Sequence, residues 1–278
     1  MPCPPQTDVE EPPTRRDAPG GSLSTAVAGA LRDAQERALL ERVRASPVPR
    51  HLAIIMDGNR RFAAGHGLLI SEGHVKGRDK LEQLLDWCLE AGVRILTVYA
   101  LSTENLDRPK DELDALMDLF ARSFLDVVTD ARVHKHHIRV RAIGNVALLR
   151  ADVQEAIARA EESTRQYTDY QYNVAIAYGG REEILLAIRS IAEEVANGAV
   201  TPDQIDAAMV SRRLYTADLP DPDLVFRTSG EERISNFLLW QTAYAELYFA
   251  DVMWPGLTKV DFLKAIQAFQ NRQRRYGH

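Results

Sequence analysis

The sequence predicts an α/β fold, a single domain in which a mostly parallel central sheet is flanked by helices. Two observations carry the prediction. From Arg50 onward, short apolar runs rich in strand-forming residues alternate with longer stretches of helical spacing, and such alternation closes through right-handed crossovers between parallel strands. The polar residues collect in the segments that directly follow the apolar runs, where an open parallel sheet presents its binding edge. A length of 278 residues with 45% hydrophobic and 27% charged side chains supplies enough apolar material for one sizeable core.

Residues 1–20 are rich in proline and hold almost nothing that packs, so a disordered tail is expected there. Leu23, Val27, Leu31, Leu39, Leu40 and Val43 have helical spacing. Residues 21–49 should therefore hold an amphipathic helix, ended by Pro47 and Pro49 and packed on the domain as a lid. Residues 50–278 form the main domain. Strands are expected at 51–56, 95–101, 138–143, 172–178 and 224–226, with a weaker one at 247–249. Helices are expected at 73–91, 111–133, 151–167, 181–197, 234–243 and 259–274.

Several function classes are excluded. A formal charge of −6 lacks the basic footprint of a general nucleic-acid binder. Cys3 and Cys88 cannot build a disulfide framework or a paired-cysteine metal knuckle. No apolar run reaches the ~18 residues of a membrane span, and residues 1–20 lack a signal-peptide core, so a cytoplasmic protein is expected, at most peripheral to the membrane. There is no P-loop pattern and no Gly-x-Ser-x-Gly elbow. Gly65-His66-Gly67 has Ile70 where a dinucleotide fingerprint needs its third glycine. His134, His136 and His137 read as solvated rather than as metal ligands.

Four loops carry the chemistry: Asp57-Gly58-Asn59-Arg60-Arg61-Phe62; Ser102-Thr103-Glu104-Asn105-Leu106-Asp107-Arg108-Pro109; Gly179-Gly180-Arg181; and Arg227 through Ile234, Ser235 and Asn236. Each alone could be turn chemistry. Together they bring Arg60, Arg61, Arg108, Arg227 and Arg233 to one sheet edge, which suits one or two highly charged anions. Of the 34 basic residues 28 are Arg, the better bidentate partner for phosphate. A single acid, Asp57, among these arginines suggests Mg²⁺ bridging to phosphate oxygens.

These residues resemble a family. Residues 51–62 (HLAIIMDGNRRF) are similar to the opening signature of the cis-prenyltransferases, the undecaprenyl diphosphate synthase family. The resemblance continues through 99–105 (YALSTEN) with Arg108-Pro109, through 173–181 (NVAIAYGGR), and through 223–251 (DLVFRTSGEERISNFLLWQTAYAELYFAD) with Trp254-Pro255. It covers about Arg50 to Gly277, in the family's order and spacing; the first 45 or so residues lie outside it.

The resemblance implies an enzyme that condenses isopentenyl diphosphate onto an allylic diphosphate primer, farnesyl or geranylgeranyl, making each new double bond Z. The product would be a polyprenyl diphosphate, for a lipid carrier of glycans, able to partition to the membrane surface. It implies a cis-prenyltransferase catalytic domain at 50–278, a hydrophobic tunnel walled by helices, Mg²⁺ as cofactor and a homodimer. Carried over motif by motif, Asp57 is the Mg²⁺-linked acid at the primer diphosphate. Gly58, Asn59, Arg60, Arg61 and Phe62 surround that diphosphate, with His74 assisting. Ser102, Thr103, Glu104, Asn105 and Leu106 lie by the isopentenyl unit, Asn105 as the acceptor or relay for the C2 proton. Arg108, Arg227, Arg233, Ile234 and Ser235 match positions that grip diphosphate, and Glu246 a second Mg²⁺ acid. Phe237, Leu239, Trp240, Tyr244 and Tyr248 lie near the family's interface block, as dimer contacts or, for several of them, as core.

Arg60 and Phe62 depart from the Gly and Trp frequent in bacterial members, and an Arg often found near the Ile70 position is missing, a charge Arg60 can supply. The alternative reading, a non-catalytic partner subunit, expects loss of the Asp-Gly-Asn loop and the Arg-x-Ser-Gly-Glu block; both are intact. A Mg²⁺-dependent phosphatase expects paired carboxylates or a nucleophile after the first strand, where Asp57 stands alone.

The ending Arg275-Tyr276-Gly277 resembles an Arg-x-Gly tail that reaches a partner subunit's isopentenyl diphosphate. Deleting residues 275–278 should therefore cut activity without unfolding the protein. Mixing that inactive deletion with an inactive Asp57 variant should restore partial turnover, and verified heterodimers without recovery would return the tail to a plain basic helix end.

Overall fold

The structure, a computed structural model, describes residues 21–272. The tail 273–278 and the proline-rich 1–20 lie outside them, as do the side chains of 21–28 and 30–32. Six strands, β1 (His51–Ile55), β2 (Ile95–Tyr99), β3 (Ile138–Ile143), β4 (Tyr170–Ala175), β5 (Leu224–Arg227) and β6 (Glu246–Phe249), form one sheet in the order β3-β4-β2-β1-β5-β6. Every pairing is parallel. β1 lies inside the sheet with all five residues buried, which is why it reads as an unbroken apolar run rather than an alternation.

Among the described residues the crossovers carry α2 (Asn59–Gly65), α3 (Ile70–Ala91), α4 (Lys110–Val127), α5 (Ala131–Lys135), α6 (Ala151–Thr164), α7 (Gly180–Ala196) and α8 (Ala207–Ser211), with α1 (Gly21–Arg44) before them and α9 (Lys259–Asn271) after. Side chains alternate along each strand. Leu52, Ile54, Leu96, Val98 and Phe226 face one core together with Leu84 and Cys88 of α3, Phe124 of α4 and Phe262 of α9. Ala53, Ile55, Ala175 and Val225 face a smaller cluster closed by Tyr178, Phe237 and Leu238. α1 packs through Leu39 and Val43, and Gln270 Nε2 donates to the Val43 carbonyl at 2.8 Å.

Two helices differ from expectation. Residues 234–243 form turns, with Ser235, Asn236 and Leu238 at φ 46°, 63° and 47°. Tertiary contacts outweigh their helical spacing. The Asn236 carbonyl accepts from Gly180 N at 2.8 Å, its Oδ1 from Arg181 N at 2.9 Å, and Phe237 stacks on Tyr99 at 4.6 Å. The stretch 111–133 breaks into α4 and α5 because Asp130 accepts from Arg132 N at 2.7 Å and caps a new helix. The histidines before β3 are engaged rather than simply solvated. His134 reaches Tyr167 Oη at 2.9 Å and the Val128 carbonyl at 2.8 Å, and His137 pairs with Asp169.

His51 opens β1 fully buried. Its Nδ1 donates to the Pro220 carbonyl at 2.7 Å, so Nε2 must accept from Thr97 Oγ1, also at 2.7 Å. Asn173 Nδ2 donates to the same hydroxyl at 3.3 Å, giving a polar line across β4, β2 and β1. Burial lowers the His51 pKa to about 4, against the partial opposition of Pro220 and Asp223. The unfolded chain, titrating near 6.5, then binds the proton more readily than the folded one. Stability is complete above pH 6.5 and falls as pH drops toward 4, by at most about 3 kcal/mol. Chemical denaturation across that range should show the slope, and His51→Gln should flatten it.

Candidate active site

Asp57 follows β1. Its N–H donates to Thr228 Oγ1 at 3.0 Å and its carbonyl accepts from the same hydroxyl at 2.7 Å, stitching the loop to the end of β5. Gly58 then turns at φ +108°, where a Cβ would stand 2.7 Å from Met253 Sδ and 3.1 Å from its Cα; only glycine fits. Asn59, Arg60, Arg61 and Phe62 are not loop residues as expected but the first turn of α2. Asp57 is also less exposed than a loop acid would be. Arg227 Nη2 donates to its Oδ2 at 2.7 Å, and Arg61 Nη2 stands 3.4 Å from Oδ1. Burial pushes the Asp57 carboxyl up, but hydrogen bonds with Arg227 and Ser229 and the charges of Arg227 and Arg61 outweigh it and hold it below the usual carboxylate range.

The fourth loop is built on Arg227, whose side chain is only 4% exposed. Its Nη1 donates to Ser235 Oγ at 2.7 Å and to the Arg233 carbonyl, which fixes the strained turn around Ser235. Arg61 Nη2 donates to Ser229 Oγ at 2.7 Å, and Arg233 pairs with Glu231. Ile234 is half-buried beside them.

After β2, a 3-10 turn (Thr103–Asp107) is capped by Ser102, whose Oγ accepts from Asn105 N at 3.2 Å. Asn105 Oδ1 lies 3.5 Å from Ser102 N. Glu104 receives Asn236 Nδ2 at 3.0 Å, tying this loop to the fourth. Leu106 packs against the core, and Thr103 Oγ1 donates weakly to Glu104.

Three cavities meet here. A polar one of 490 Å³ is lined by Asp57, Ser102, Glu104, Asn105, Arg108, Arg227 and Ser235, among others. A second, of 360 Å³, is lined by Asp57, Gly58, Asn59, Arg60, Arg61 and Arg108, among others. The third, of 110 Å³, is apolar and runs between α3, α4 and the sheet, past Leu81, Leu116, Phe120, Phe124, Val127 and Trp254. Met56, Asn59 and His74 line all three. Two arginine-lined polar cavities thus meet one apolar cavity at shared residues. Among the described residues, Arg227 Nε and Asn59 Oδ1 are buried without a hydrogen-bond partner, as suits groups kept for a ligand.

Two acids need revision. Glu246 does not join Asp57. The strand register sets it level with Leu224, and Leu224 level with Leu52, so it lies at the sheet's amino edge, roughly 16 Å of strand from Asp57. There Arg272 Nη1 holds it at 2.7 Å. Among the described residues no group of three or more His, Cys, Asp or Glu could hold a metal. Glu112, an acid behind the cavity walls, was missed because an acidic residue at a helix start is ordinary; its side chain, 7% exposed, contacts His74 and Arg108.

Residues 55–277 match the family described as "Putative undecaprenyl diphosphate synthase". Tritrans,polycis-undecaprenyl-diphosphate synthases (geranylgeranyl-diphosphate specific) are 54% identical in Methanopyrus kandleri and 52% in Picrophilus torridus, each over 87% of this chain and 89% and 95% of their own. Lavandulyl diphosphate synthase from Lavandula x intermedia, solved with dimethylallyl diphosphate, superimposes with a TM-score of 0.78 at 35% identity, over 83% of this chain and 99% of its own. A probable undecaprenyl diphosphate synthase from Campylobacter jejuni gives 0.67 at 35%, over 84% of this chain and all of its own. The fold and site define a prenyltransferase, and the chain belongs to the undecaprenyl diphosphate synthase family. It lengthens an allylic diphosphate with isopentenyl units in Z geometry. No helix among the described residues is long and apolar enough to cross a membrane.

The close packing of α3 on α2 gives a test of the junction. A Cβ at Gly77 would stand 2.3 Å from Asn59 Oδ1 and 3.2 Å from Trp254, whereas at Gly73 it would meet the Asn59 backbone carbonyl at 2.7 Å. A side-chain amide can swing and a backbone carbonyl cannot. Gly73→Ala should therefore cost more stability, about 1–3 kcal/mol, while Gly77→Ala loses turnover out of proportion to its smaller shift in Tm. Melting curves and steady-state rates on both variants check this.

Proposed function

We propose that this enzyme extends geranylgeranyl diphosphate with successive isopentenyl diphosphates to a long Z-polyprenyl diphosphate. The observation that carries it is the meeting of two polar cavities and one apolar cavity at Met56, Asn59 and His74. Such a junction suits a hydrocarbon tail with its diphosphate beside a second diphosphate. The primer follows from the relatives at about half identity, whose names specify geranylgeranyl diphosphate.

In this reading the 360 Å³ cavity with Arg60, Arg61 and Gly58 takes the primer diphosphate, and the cavity with Ser102, Asn105, Arg227 and Ser235 takes isopentenyl diphosphate. Arg233 lies beside it. Preorganised donors stabilise the leaving diphosphate where its charge develops. A neutral amide is a weak base, so Asn105, tied to Ser102 by its own N–H on Ser102 Oγ and by its Oδ1 facing Ser102 N, orients the isopentenyl unit and passes its C2 proton to water or a phosphate oxygen.

Mg²⁺ fits the donor set. Asp57 is held ionised and lines the polar cavities beside the arginines, and Mg²⁺ is usually held by one or two carboxylates with substrate phosphates and water. When bound by Asp57, it would neutralise diphosphate charge. A homodimer is also part of the reading: Leu185 and Ile188 of α7 and Tyr244 are exposed, Tyr244 at 83%. Of the interface block, Phe237 is instead core, and Tyr248 packs edge-on to Phe226. The product's hydrocarbon would partition to the membrane surface, and the division of the chain at 20 and 49 is part of the same proposal.

Labelled isopentenyl diphosphate offered with dimethylallyl, farnesyl or geranylgeranyl primers tests this. Chain growth is expected with Mg²⁺, most efficiently on geranylgeranyl diphosphate, and stops in EDTA; preference for farnesyl diphosphate would overturn the primer assignment. Asp57→Ala would strand the buried Arg227, so Asp57→Asn is the cleaner variant. It should stay folded and lose about 100-fold or more in kcat.

A further inference from the structure

Glu112 is the third residue of α4, where an acid would favour the helix dipole from a solvated position. Instead its side chain turns inward and is 7% exposed. One oxygen, Oε1, accepts from Arg108 Nη1 at 3.0 Å and His74 Nε2 at 3.3 Å, and stands 3.9 Å from Arg60 Nε. A carboxylate this buried is costly unless paired, and each partner faces a ligand space. Arg108 lines both polar cavities and His74 lines all three, while Glu112 itself lines none of them. Further along α4, Leu116, Phe120 and Phe124 wall the apolar cavity. One helix thus anchors the cations at its start and the hydrocarbon wall along its length.

We infer that Glu112 is a positioning residue for substrate diphosphate, acting chiefly through Arg108; the inference rests on the reading of the polar cavities as diphosphate sites. An arginine side chain is long and rotamer-rich, and one held in place before the ligand arrives loses no further freedom on binding. Glu112 takes one edge of the Arg108 guanidinium and leaves its other donors for the cavities. It also takes the proton-bearing Nε2 of His74, since a carboxylate only accepts.

The test is a double-mutant cycle. E112Q, R108A and the pair are assayed with each diphosphate varied in turn, alongside melting curves. E112Q should melt within a few degrees of the native enzyme and lose about 10-fold or more in kcat/KM, mostly through raised KM. E112D, which keeps the charge, should retain more activity than E112Q. In the R108A background the same change should cost less than about 3-fold, because the partner is already gone. Native kcat/KM in E112Q, or its full loss persisting beside R108A, would overturn the inference. If E112Q does not fold, the cycle is run with E112D, whose smaller loss in kcat/KM should likewise shrink beside R108A, and a loss that persists in full there would overturn the inference. A native enzyme inert toward both diphosphates would instead overturn the reading of the cavities.

Discussion

A guanidinium as buried as that of Arg227 has to find its counter-charge inside the protein, and it finds it in Asp57 across the parallel pair β1–β5. The rest of the site depends on that bond. It holds the Asp57 carboxylate ionised at the sheet edge, fixes the direction in which the chain leaves β1, and leaves Nη1 for Ser235 and the Arg233 carbonyl. The turn that carries Ser235 and Asn236 in left-handed conformations is strained, and such strain persists where surrounding contacts over-determine it. Here the contacts are Arg227 on one side and the amino end of α7 on the other.

The site balances excess positive charge with a few acids in fixed places. Asp57 answers Arg227 and Arg61, Glu112 answers Arg108 with His74, and Glu231 answers Arg61 and Arg233. Each acid leaves part of its arginine's donor set unused. Five unpaired arginines at one edge would repel one another and loosen the loops before a substrate arrived. Paired ones stay ordered, and the net positive field still favours a diphosphate.

The apolar half follows a different rule. The space between α3 and α4 exists because α3 approaches α2 and Trp254 through Gly73 and Gly77, with Trp254 Nε1 donating to the Gly77 carbonyl at 2.8 Å. Close backbone contact at the polar end is what lets larger side chains line the cavity beyond it. Polar and apolar parts are thus set by one helix pair, and both end at Asn59.

By itself the sequence determined the parallel α/β architecture and the four polar loops, because strand patterning and the order of elements are local, and residues after consecutive parallel strands must share an edge. Asp57, Asn105, Arg108, Arg227 and Ser235 were legible for that reason, and the family motifs named them. Only the tertiary structure decided what depends on register and burial. It turned residues 234–243 away from a helix, because Asn236 and Phe237 gain more from α7 and Tyr99 than from helical bonds. It set Glu246 at the opposite edge from Asp57, since a motif carries no strand register. And it made Glu112 part of the site: an acid at a helix start looks solvated in any sequence, and only the fold brings Arg108 and His74 to it while taking water away.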